Sequence, residues 1–422
     1  MKASTTTSES LRLAALATLS DVGLVDRVKV ESVVRDEVAR YQQLAANGLA
    51  TKLVRPEEMV ARLMRSLTEA GALTRFFKDP ALAKEVTVYG DTVTASMTDG
   101  RQEVDSEPTC EAELTANIVR LLSDAGVSLD AENPVVVHQI WDNQVRAAVS
   151  IPPVADCLDA TFRIYRLAHT RFADLVEWGS LTEPAANFLS ALPLIPGFSQ
   201  LISGRPGAGK TTIAQATLLA APDTMNVRII QEARELSAPH LRGGRWSPDG
   251  GGHTLRSLVN RALQFAPDLI VPGETRGAEA YELLKASNSG CGFMSTLHAK
   301  SARLAMESLV NAALMAGENV SERQVRRSFA SLIDVVVHCG VQAAHLVAPG
   351  RFPLQQVMEI CTVPSQLSDD RFVLEPVFKR RALGAPLEFC GANSLGELAD
   401  ELDAVLPAGV TALGLCEGTA RL

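Results

Sequence analysis

With 422 residues, the chain exceeds what one hydrophobic core usually holds, and two or three domains are expected. Its hydrophobic fraction of 46% and charged fraction of 21% are typical of a globular protein and exclude a fully disordered chain, a collagen and a small disulfide scaffold. The net charge of −9 argues against strong nucleic-acid binding, because a protein that coats an anionic polymer needs a basic surface.

The first 70 residues (1–70) are predicted to form a polar helical segment. One of its helices should begin at Pro56, since proline is tolerated at the first helical position and Glu57 and Glu58 then complement the helix dipole. Residues 71–166 change to short apolar strands around one helix, with turns at residues 90–91 and 142–143. This pattern predicts a small α+β domain.

The rest of the chain divides into three parts. Residues 167–197 carry several prolines and no strong strand pattern, which predicts a linker with a connecting helix. Residues 198–385 alternate apolar strands with amphipathic helices, as in a parallel sheet with helices on its faces, and the glycine-rich stretch 243–252 is predicted to be a loop. Residues 386–422 form a C-terminal tail to which no pattern assigns a role.

Cysteine usage and hydropathy indicate the compartment. The seven cysteines contain no C-x-x-C pair, which favours reduced thiols in a cytosol. The first residues lack the apolar core of a secretory signal, and no stretch approaches the ~18 apolar residues that a membrane-spanning helix needs. We therefore expect a cytoplasmic protein.

A phosphate loop opens the 198–385 region. Nine consecutive residues fit and extend the pattern G-x-x-x-x-G-K-[ST]: Gly204, Arg205, Pro206, Gly207, Ala208, Gly209, Lys210, Thr211 and Thr212. Glycines let backbone amides curl toward an anion, and the following helix adds its positive end. Lys210 is expected to reach the β- and γ-phosphates of ATP, and Thr211 to complete the Mg²⁺ shell. An accidental glycine-rich turn is disfavoured, because this loop lies between a predicted strand and a predicted helix.

An acidic residue follows the next long apolar strand. Glu274 would lie at the C-terminal edge of a parallel sheet, where ligands of α/β folds bind, and would face the γ-phosphate and its metal ion. Asp268 precedes the same strand and is predicted to be a turn residue at the opposite end. An acid after an apolar strand is commonplace on its own, and it is the upstream phosphate loop that favours a functional role for Glu274.

Three segments downstream of the loop resemble one family. They look like the acidic box, the Walker B region and the histidine box of the hexameric type II/type IV secretion ATPases, in the same order: residues 231–236, 254–277 and 292–299. Two upstream segments, 77–90 and 143–164, resemble most closely the CpaF/TadA-type ATPases of tight-adherence (Flp) pili.

The resemblance covers about residues 35–380 and implies a fold and an assembly. The fold is α/β: a RecA-like P-loop NTPase domain, a smaller PAS-like α+β N-terminal domain, and the N-terminal helical segment. The assembly is a homo-oligomer, a hexamer in this family. It would work with an inner-membrane platform protein of a pilus or secretion system, on the inner face of the cell membrane.

The resemblance also implies roles for residues outside the loop. Glu235, the last acid of the acidic box, would orient the attacking water, and Glu274 would support the metal ion and the water. His298 would sense the γ-phosphate and couple it to movement. Arg146 and Arg163 of the small domain would approach the nucleotide. Without the resemblance, each has an ordinary alternative: a solvated acid, a structural histidine or a surface arginine.

The chain departs from the family pattern at two places. The acidic box usually carries two adjacent acids before its last one, whereas Gln231, Glu232 and Ala233 retain only one. Pro272 stands where the family has valine or glycine, and it removes one N–H beside Glu274.

The main hypothesis is a Mg²⁺-dependent ATPase, assembled as a ring, that powers a tight-adherence/Flp-type pilus or a related type II/IV secretion system. A conjugation-type DNA-transfer ATPase is an alternative with the same fold. A non-hydrolysing nucleotide-gated scaffold is a third hypothesis, which the altered acidic box keeps open.

Overall fold

The computed structural model describes residues 2–19, 26–79, 82–97, 101–105, 107, 109–141, 144–164, 170–232, 235–248, 252–317, 321–343, 346–347 and 354–422. The predicted turn at residues 142–143 and residues 233–234 of the acidic box lie outside this part of the chain. The chain divides into two compact units between residues 166 and 167.

The first unit begins with a layer of three helices: α1 (Lys2–Leu19), α2 (Arg27–Ala46) and α3 (Pro56–Thr68). Apolar residues four apart fall on one face of a helix, and these faces pack together as one buried cluster that includes Leu11, Ala15 and Leu19 of α1 and Val30, Val34 and Val38 of α2. As predicted, α3 begins at Pro56 with two glutamates in its first turn.

The second layer of this unit is a six-stranded sheet. Its elements, with two helices, are α4 (Thr74–Lys78), β1 (Ala83–Tyr89), β2 (Thr92–Met97), β3 (Gln102–Val104), α5 (Glu111–Asp124), β4 (Val135–Ile140), β5 (Val145–Ser150) and β6 (Asp159–Ile164). The strand order is β3-β2-β1-β6-β5-β4, and neighbours are antiparallel. Burial alternates along β5, because only one face of the sheet packs on α5 and its neighbours. The hairpin predicted at residues 90–91 joins β1 to β2.

The second unit is built on a nine-stranded sheet within the described residues. Its strands are β7 (Gln200–Gly204), β8 (Asn226–Ile230), β9 (Arg242–Trp246), β10 (Leu269–Pro272), β11 (Gly292–Leu297), β12 (Val335–Val341), β13 (Gln355–Thr362), β14 (Glu375–Arg380) and β15 (Leu387–Phe389). The order is β15-β14-β13-β12-β7-β11-β10-β8-β9, parallel from β12 to β9 and antiparallel from β12 to β15. This is the RecA-like α/β arrangement, extended at both edges.

Helices cover both faces of this sheet: α6 (Phe172–Glu177), α7 (Glu183–Ala191), α8 (Lys210–Ala220), α9 (Leu255–Ala262), α10 (Glu279–Asn288), α11 (Ala302–Leu314), α12 (Glu322–Leu332), α13 (Leu398–Val405) and α14 (Ala412–Glu417). Leu201 and Ile202 of β7 belong to opposite core clusters, and both are fully buried. Consecutive strand residues point to opposite faces, so a strand covered on both sides is apolar throughout.

The glycine-rich stretch 243–252, predicted to be a loop, is in part an edge strand. Gly243 pairs with Val227, and a Cβ on Gly243 would lie 1.8 Å from the carbonyl oxygen of Val227. Glycine therefore lets β9 approach β8 closely here. A glycine-rich sequence is typical both of such a strand and of a flexible loop, so the pattern alone could not distinguish the two.

Two segments in which the sequence showed no clear strand pattern, residues 167–197 and 386–422, contribute to the core of the second unit. Phe172 and Phe188, on α6 and α7, are buried in the same cluster as Leu402 and Leu415 of the C-terminal helices. All seven cysteines are described and free. Within the described ranges, no helix has both the length and the apolar character that crossing a bilayer requires.

Candidate nucleotide site

The phosphate loop joins β7 to α8. Gly207 and Gly209 have φ values of +73° and +90°, in the left-handed region that favours glycine. Gln355 of β13 donates a 2.6 Å hydrogen bond to the carbonyl oxygen of Gly207, which fixes the loop from outside. Lys210 is the first residue of α8, and the first N–H groups of a helix have no intrahelical partner. The loop and helix together can therefore hold a phosphate group.

Lys210 folds back over this loop. Its Nζ donates to the carbonyl oxygens of Gly204 and Arg205, each at 3.2 Å, and lies 3.2 Å from Nδ1 of His298. The residue is buried, with 8% of its surface exposed. A buried ammonium needs acceptors on several sides, and phosphate oxygens would be stronger acceptors than these carbonyls.

The register of the parallel strands brings His298 to the loop. Leu297 of β11 pairs with Ser203 of β7, so the next residues, His298 and Gly204, are neighbours at the C-terminal edge of the sheet. Nδ1 of His298 lies 3.3 Å from the carbonyl oxygen of Gly204. The carboxyl ends of parallel strands form the ligand edge of such sheets, and the sequence placed His298 there correctly.

Glu274 reaches the same edge from β10. Its Oε2 accepts a 2.6 Å hydrogen bond from Nη2 of Arg276, and its Oε1 lies 2.9 Å from Nε2 of His298. Burial by itself raises the pKa of Glu274, but the hydrogen bond and charge of Arg276, followed by the charges of His298 and Lys210, outweigh burial and hold this pKa below its ordinary value. The carboxylate is therefore ionised at neutral pH.

His298 links the lysine to the glutamate. A lysine ammonium can only donate, so its contact with Nδ1 of His298 places a donor on one side of the ring, and Nε2 on the other side faces the Glu274 carboxylate. The structure thus brings Lys210, His298 and Glu274 into one continuous series of contacts.

Side-chain hydroxyl groups fix the backbone beside Glu274 and His298. The side chains of Thr275 and Ser295 are 2.6 Å apart, and Thr296 donates to the carbonyl oxygen of Gly273 at 2.8 Å. These contacts tie the end of β10 to β11. The distance between Glu274 and His298 is consequently set by the sheet and not by a free loop.

The residues next to Glu235 are fixed by hydrogen bonds. Within the described residues, Glu235 itself forms no hydrogen bond or ion pair with Lys210, His298 or Glu274. The N–H of Leu236 donates to Gln231 at 3.1 Å, and the N–H of Ser237 donates to Gln215 of α8 at 2.9 Å. The segment is thus anchored to the helix that follows the phosphate loop.

Arg146 and Arg163 belong to the first unit, where they form a pair. They lie directly opposite each other on β5 and β6, and Arg163 is opposite Glu85 of β1. Among the residues that the structure describes, neither arginine has a hydrogen-bonded or ion-paired partner. Like charges directly opposite each other destabilise a sheet, whereas the opposite charge of Glu85 on the other side of Arg163 is a stabilising neighbour.

The donor set of the second unit fits a magnesium ion. Mg²⁺ prefers hard oxygen ligands, and the site offers the Thr211 hydroxyl and the Glu274 carboxylate. Oε1 of Glu274 is buried and has no hydrogen bond of good geometry in the described part of the chain, despite its short distance to His298. An oxygen in this state can accept from a metal-bound or attacking water.

No role was predicted for Arg276, whose guanidinium donates a hydrogen bond to Glu274 in the structure. The one feature of the sequence that could have indicated this contact is the position of Arg276 two residues after that acid. Ser203 and His338 are a second unpredicted contact: their side chains are 2.9 Å apart behind the loop. Burial, followed by the charge of Lys210, lowers the pKa of His338, with Glu359 acting in the opposite direction.

Residues 132–349 match the family described as "Type II/IV secretion system protein", which is about half of the chain. The chain is 37% identical over 195 residues to the putative conjugal transfer protein Rv3659c of Mycobacterium tuberculosis, a match that covers 43% of this chain and 54% of the relative. The chain therefore spans about half the length of that relative.

Two further comparisons cover more of the chain. The type IV secretion system protein VirB11 of Bartonella henselae is 24% identical over 316 residues, which is 65% of this chain and 88% of that protein. The solved structure of the Legionella pneumophila ATPase DotB aligns with a TM-score of 0.47 at 15% identity, over 82% of this chain and 84% of that one.

Proposed function

The chain belongs to the type II/IV secretion system protein family, and from this membership we propose that it is a Mg²⁺-dependent ATPase. In this proposal it assembles as a ring and powers a tight-adherence/Flp-type pilus or a related type II/IV secretion system. The observation that carries the proposal is the continuous contact from Lys210 through His298 to Glu274, at the C-terminal edge of a parallel sheet.

ATP binding is assigned to the phosphate loop. Its backbone amides and the first turn of α8, with Thr211 and Thr212, surround the β- and γ-phosphates. Phosphate oxygens are charged acceptors, so the ammonium of Lys210 transfers a hydrogen bond from His298 to the γ-phosphate. His298 then loses one of its two contacts and reports the presence of the γ-phosphate to Glu274.

Hydrolysis is the in-line attack of a water on the γ-phosphorus. A bond forms from the water oxygen to phosphorus, the bond to the leaving ADP oxygen breaks, and inorganic phosphate is released. Glu274 accepts a hydrogen bond from the water through Oε1, and Glu235 orients it from the acidic box. Mg²⁺, held by Thr211 and through Glu274, would neutralise the charge that develops on the phosphate oxygens. Lys210 would stabilise the same charge. A contribution of Arg146 and Arg163 stays a prediction from the family resemblance.

The partner and location follow from the same proposal. Six copies would form the ring, with an inner-membrane platform protein as the element that the ring moves. The protein would act in the cytoplasm, associated with the inner face of the membrane.

A conjugation-type DNA-transfer ATPase is the second candidate, because the relative at 37% identity is described as a putative conjugal transfer protein. The net charge of −9 disfavours direct binding to DNA. The two candidates differ in one measurement: at physiological salt, DNA should stimulate the ATPase of a DNA-transfer motor and leave a pilus motor unchanged.

The test of the proposal is phosphate release from ATP by the purified chain, with and without Mg²⁺. Glu274→Gln should retain binding of a fluorescent ATP analogue and lose turnover, since the amide keeps the shape but not the charge. Glu307→Gln is the matched control, because Glu307 is also half-buried and ion-paired with an arginine, Arg326. Normal turnover by Glu274→Gln would disprove the role of this residue. Tight ATP binding without turnover by the unmodified chain would favour a scaffold.

A further inference from the structure

Strand β9 forms one edge of the sheet in the second unit. Arg242, Gly243 and Arg245 of this strand are exposed, whereas all four residues of β10, two strands further in, are buried. Among the described strands, none pairs with β9 on its outer side. The strand therefore presents a free edge to the solvent.

The hydrogen bonds on the β8 side show which backbone groups lie on this free edge. The N–H of Arg242 and the carbonyl oxygen of Trp246 form hydrogen bonds of 3.1 and 3.0 Å with the two residues that flank β8. Alternate residues of a strand bond to the same neighbour, so the N–H and C=O groups of Gly243 and Arg245 point away from β8. These strong donors and acceptors would satisfy, and be satisfied by, the backbone of an added strand.

The surface around this edge is basic. Residues 242–265 carry four arginines and one acidic residue, in a chain whose net charge is −9. Arg256 is ion-paired at 3.0 Å. The other three, Arg242, Arg245 and Arg261, are exposed and have no ion-paired partner in the part of the chain that the structure describes. Such a group of charges attracts an anionic partner.

An apolar contact surface lies beside the same edge. The side chain of Phe265 is 53% exposed, and its ring packs edge-on against Trp246 of β9, with the ring centroids 5.1 Å apart. The guanidinium carbon of Arg228 lies 5.2 Å from the centre of the Phe265 ring and helps to hold it. Because side chains alternate between the two faces of a strand, every second residue of an added strand would lie on this aromatic face.

These features favour an acidic protein strand over two other occupants. The phosphate backbone of a nucleic acid offers acceptors but no N–H donors, so it would leave the outward carbonyl groups of β9 unpaired. A second copy of β9 would bring arginines against arginines, and like charges on facing strands destabilise the pair.

We propose that β9 is a docking site for an extended acidic segment of another protein, which adds to the free edge as a further strand. The backbone of this segment pairs with Gly243 and Arg245. Its acidic side chains bind Arg242, Arg245 and Arg261, and an apolar side chain packs on Phe265. The inference does not depend on the proposed ATPase function, because docking is measured without nucleotide.

The probe is a fluorescein-labelled peptide of about eight residues in which two glutamates alternate with two valines, so that each face of the strand carries both residue types. Anisotropy is measured as the full chain is added without nucleotide. The peptide should bind, and its affinity should fall as salt is added. A peptide with lysine in place of glutamate is the control and should bind at least about tenfold more weakly.

Two substitutions at Arg245 separate charge from backbone pairing. Arg245→Gln and Arg245→Pro both remove the charge, but only proline removes an outward N–H, and edge strands tolerate proline where the N–H faces solvent. Arg245→Gln should weaken binding about 2- to 5-fold, and Arg245→Pro about 2- to 10-fold more. Arg323→Gln should bind like the unmodified chain, because Arg323 is an exposed arginine of the same unit that is ion-paired with Asp370 at 2.8 Å.

A measurement on the unmodified chain tests the pairing directly. Saturating peptide should slow amide hydrogen exchange at Gly243 and Arg245 by at least about tenfold, because these N–H groups become hydrogen-bonded. Unchanged exchange would overturn the inference even if Arg245→Pro fails to fold. So would equal binding of the lysine peptide, or no binding at about 1 mM peptide.

A single-stranded oligonucleotide is titrated in parallel. Weaker binding than that of the acidic peptide agrees with the proposal, whereas tighter binding would make β9 a nucleic-acid site and the proposal wrong. None of these outcomes depends on ATP turnover, so a failure here leaves the test of the ATPase function unaffected.

Discussion

Each of the two units brings charged side chains together on a sheet, but the charges alternate in sign in the second unit, whereas two like charges lie opposite each other in the first. In the second unit, Lys210, His298, Glu274 and Arg276 alternate acceptors with donors, so that each charge is compensated by its neighbour. In the first unit, Arg146 and Arg163 lie opposite each other, and neither forms an ion pair in the described part of the chain, although Glu85 lies opposite Arg163 on the next strand. A compensated cluster can preserve its geometry without a ligand, whereas two arginines that face each other repel.

The largest expected effect tests the compensated cluster. Lys210→Ala removes the cation that both the loop carbonyls and His298 contact, and it should lower ATP turnover by at least about 1,000-fold, because ground-state binding and charge stabilisation are lost together. Phosphate release measures it. Lys285→Ala, which breaks an ion pair with Glu282 on α10, is the control and should retain activity. Substantial turnover by Lys210→Ala would remove the phosphate loop from the mechanism.

The next effect tests the uncompensated pair. If Arg146 and Arg163 bind phosphate, Arg146→Gln and Arg163→Gln should each lower kcat by about 10- to 100-fold, since the remaining arginine still supplies one charge. The double variant should lose more than either single one. Arg323→Gln is the control, because Arg323 is an exposed arginine that is ion-paired with Asp370 on the surface of the second unit. If all three variants match this control, the pair has no part in turnover and the contrast between the units is structural only.

A third prediction concerns Asp334, a half-buried acid in the second unit with no ion-paired cation among the described residues. Asp334 accepts the N–H of Ser199 at 2.7 Å, and burial raises its pKa from 3.8 to about 7, with Glu401 adding to the increase. Because the folded chain then binds more protons than the unfolded chain between these pH values, the stabilising contribution is present at low pH and is lost as pH rises toward 7.

Asp334→Asn keeps an acceptor for Ser199 and has no proton to lose. Relative to the unmodified chain, this variant should gain about 2 kcal/mol in unfolding free energy between pH 4 and pH 8. This is about half of the ~4 kcal/mol that a pKa shift of this size gives at ~1.4 kcal/mol per unit, because the side chain keeps some contact with water. Urea unfolding across this pH range measures the difference. A constant difference would mean that Asp334 titrates normally.

The smallest expected effect concerns the stability of the first unit when one arginine of the pair is replaced. Replacing one member of a like-charge cross-strand pair relieves repulsion, so Arg146→Gln should raise the stability of the first unit by about 0.2–1 kcal/mol at low ionic strength. Arg146 is the member to replace, because its other cross-strand neighbour is the uncharged Gln139, whereas Arg163 also lies opposite Glu85. Thermal unfolding in low and high salt is the measurement, and the gain should shrink as salt is added. A loss of stability would show that the arginine has a structural partner.

Prediction from the sequence succeeded where one local signal governs the result. Pro56 starts a helix because its ring pre-sets the backbone. Asp268 is a turn residue, as expected, and accepts the N–H of Asn226 at 2.7 Å. The edge strand β9 was missed, because glycine signals both a flexible loop and a close approach of two backbones.

Spacing along the chain was sufficient to predict the phosphate loop, most of the strands and helices that surround it, and the positions of Glu274 and His298 at strand ends. Which charged side chains contact each other became visible only in the folded chain. Arg276 on Glu274, Lys210 on His298, and Arg146 opposite Arg163 depend on strand register and on side-chain direction. These are set by packing between elements that are distant in sequence, and no local pattern records them.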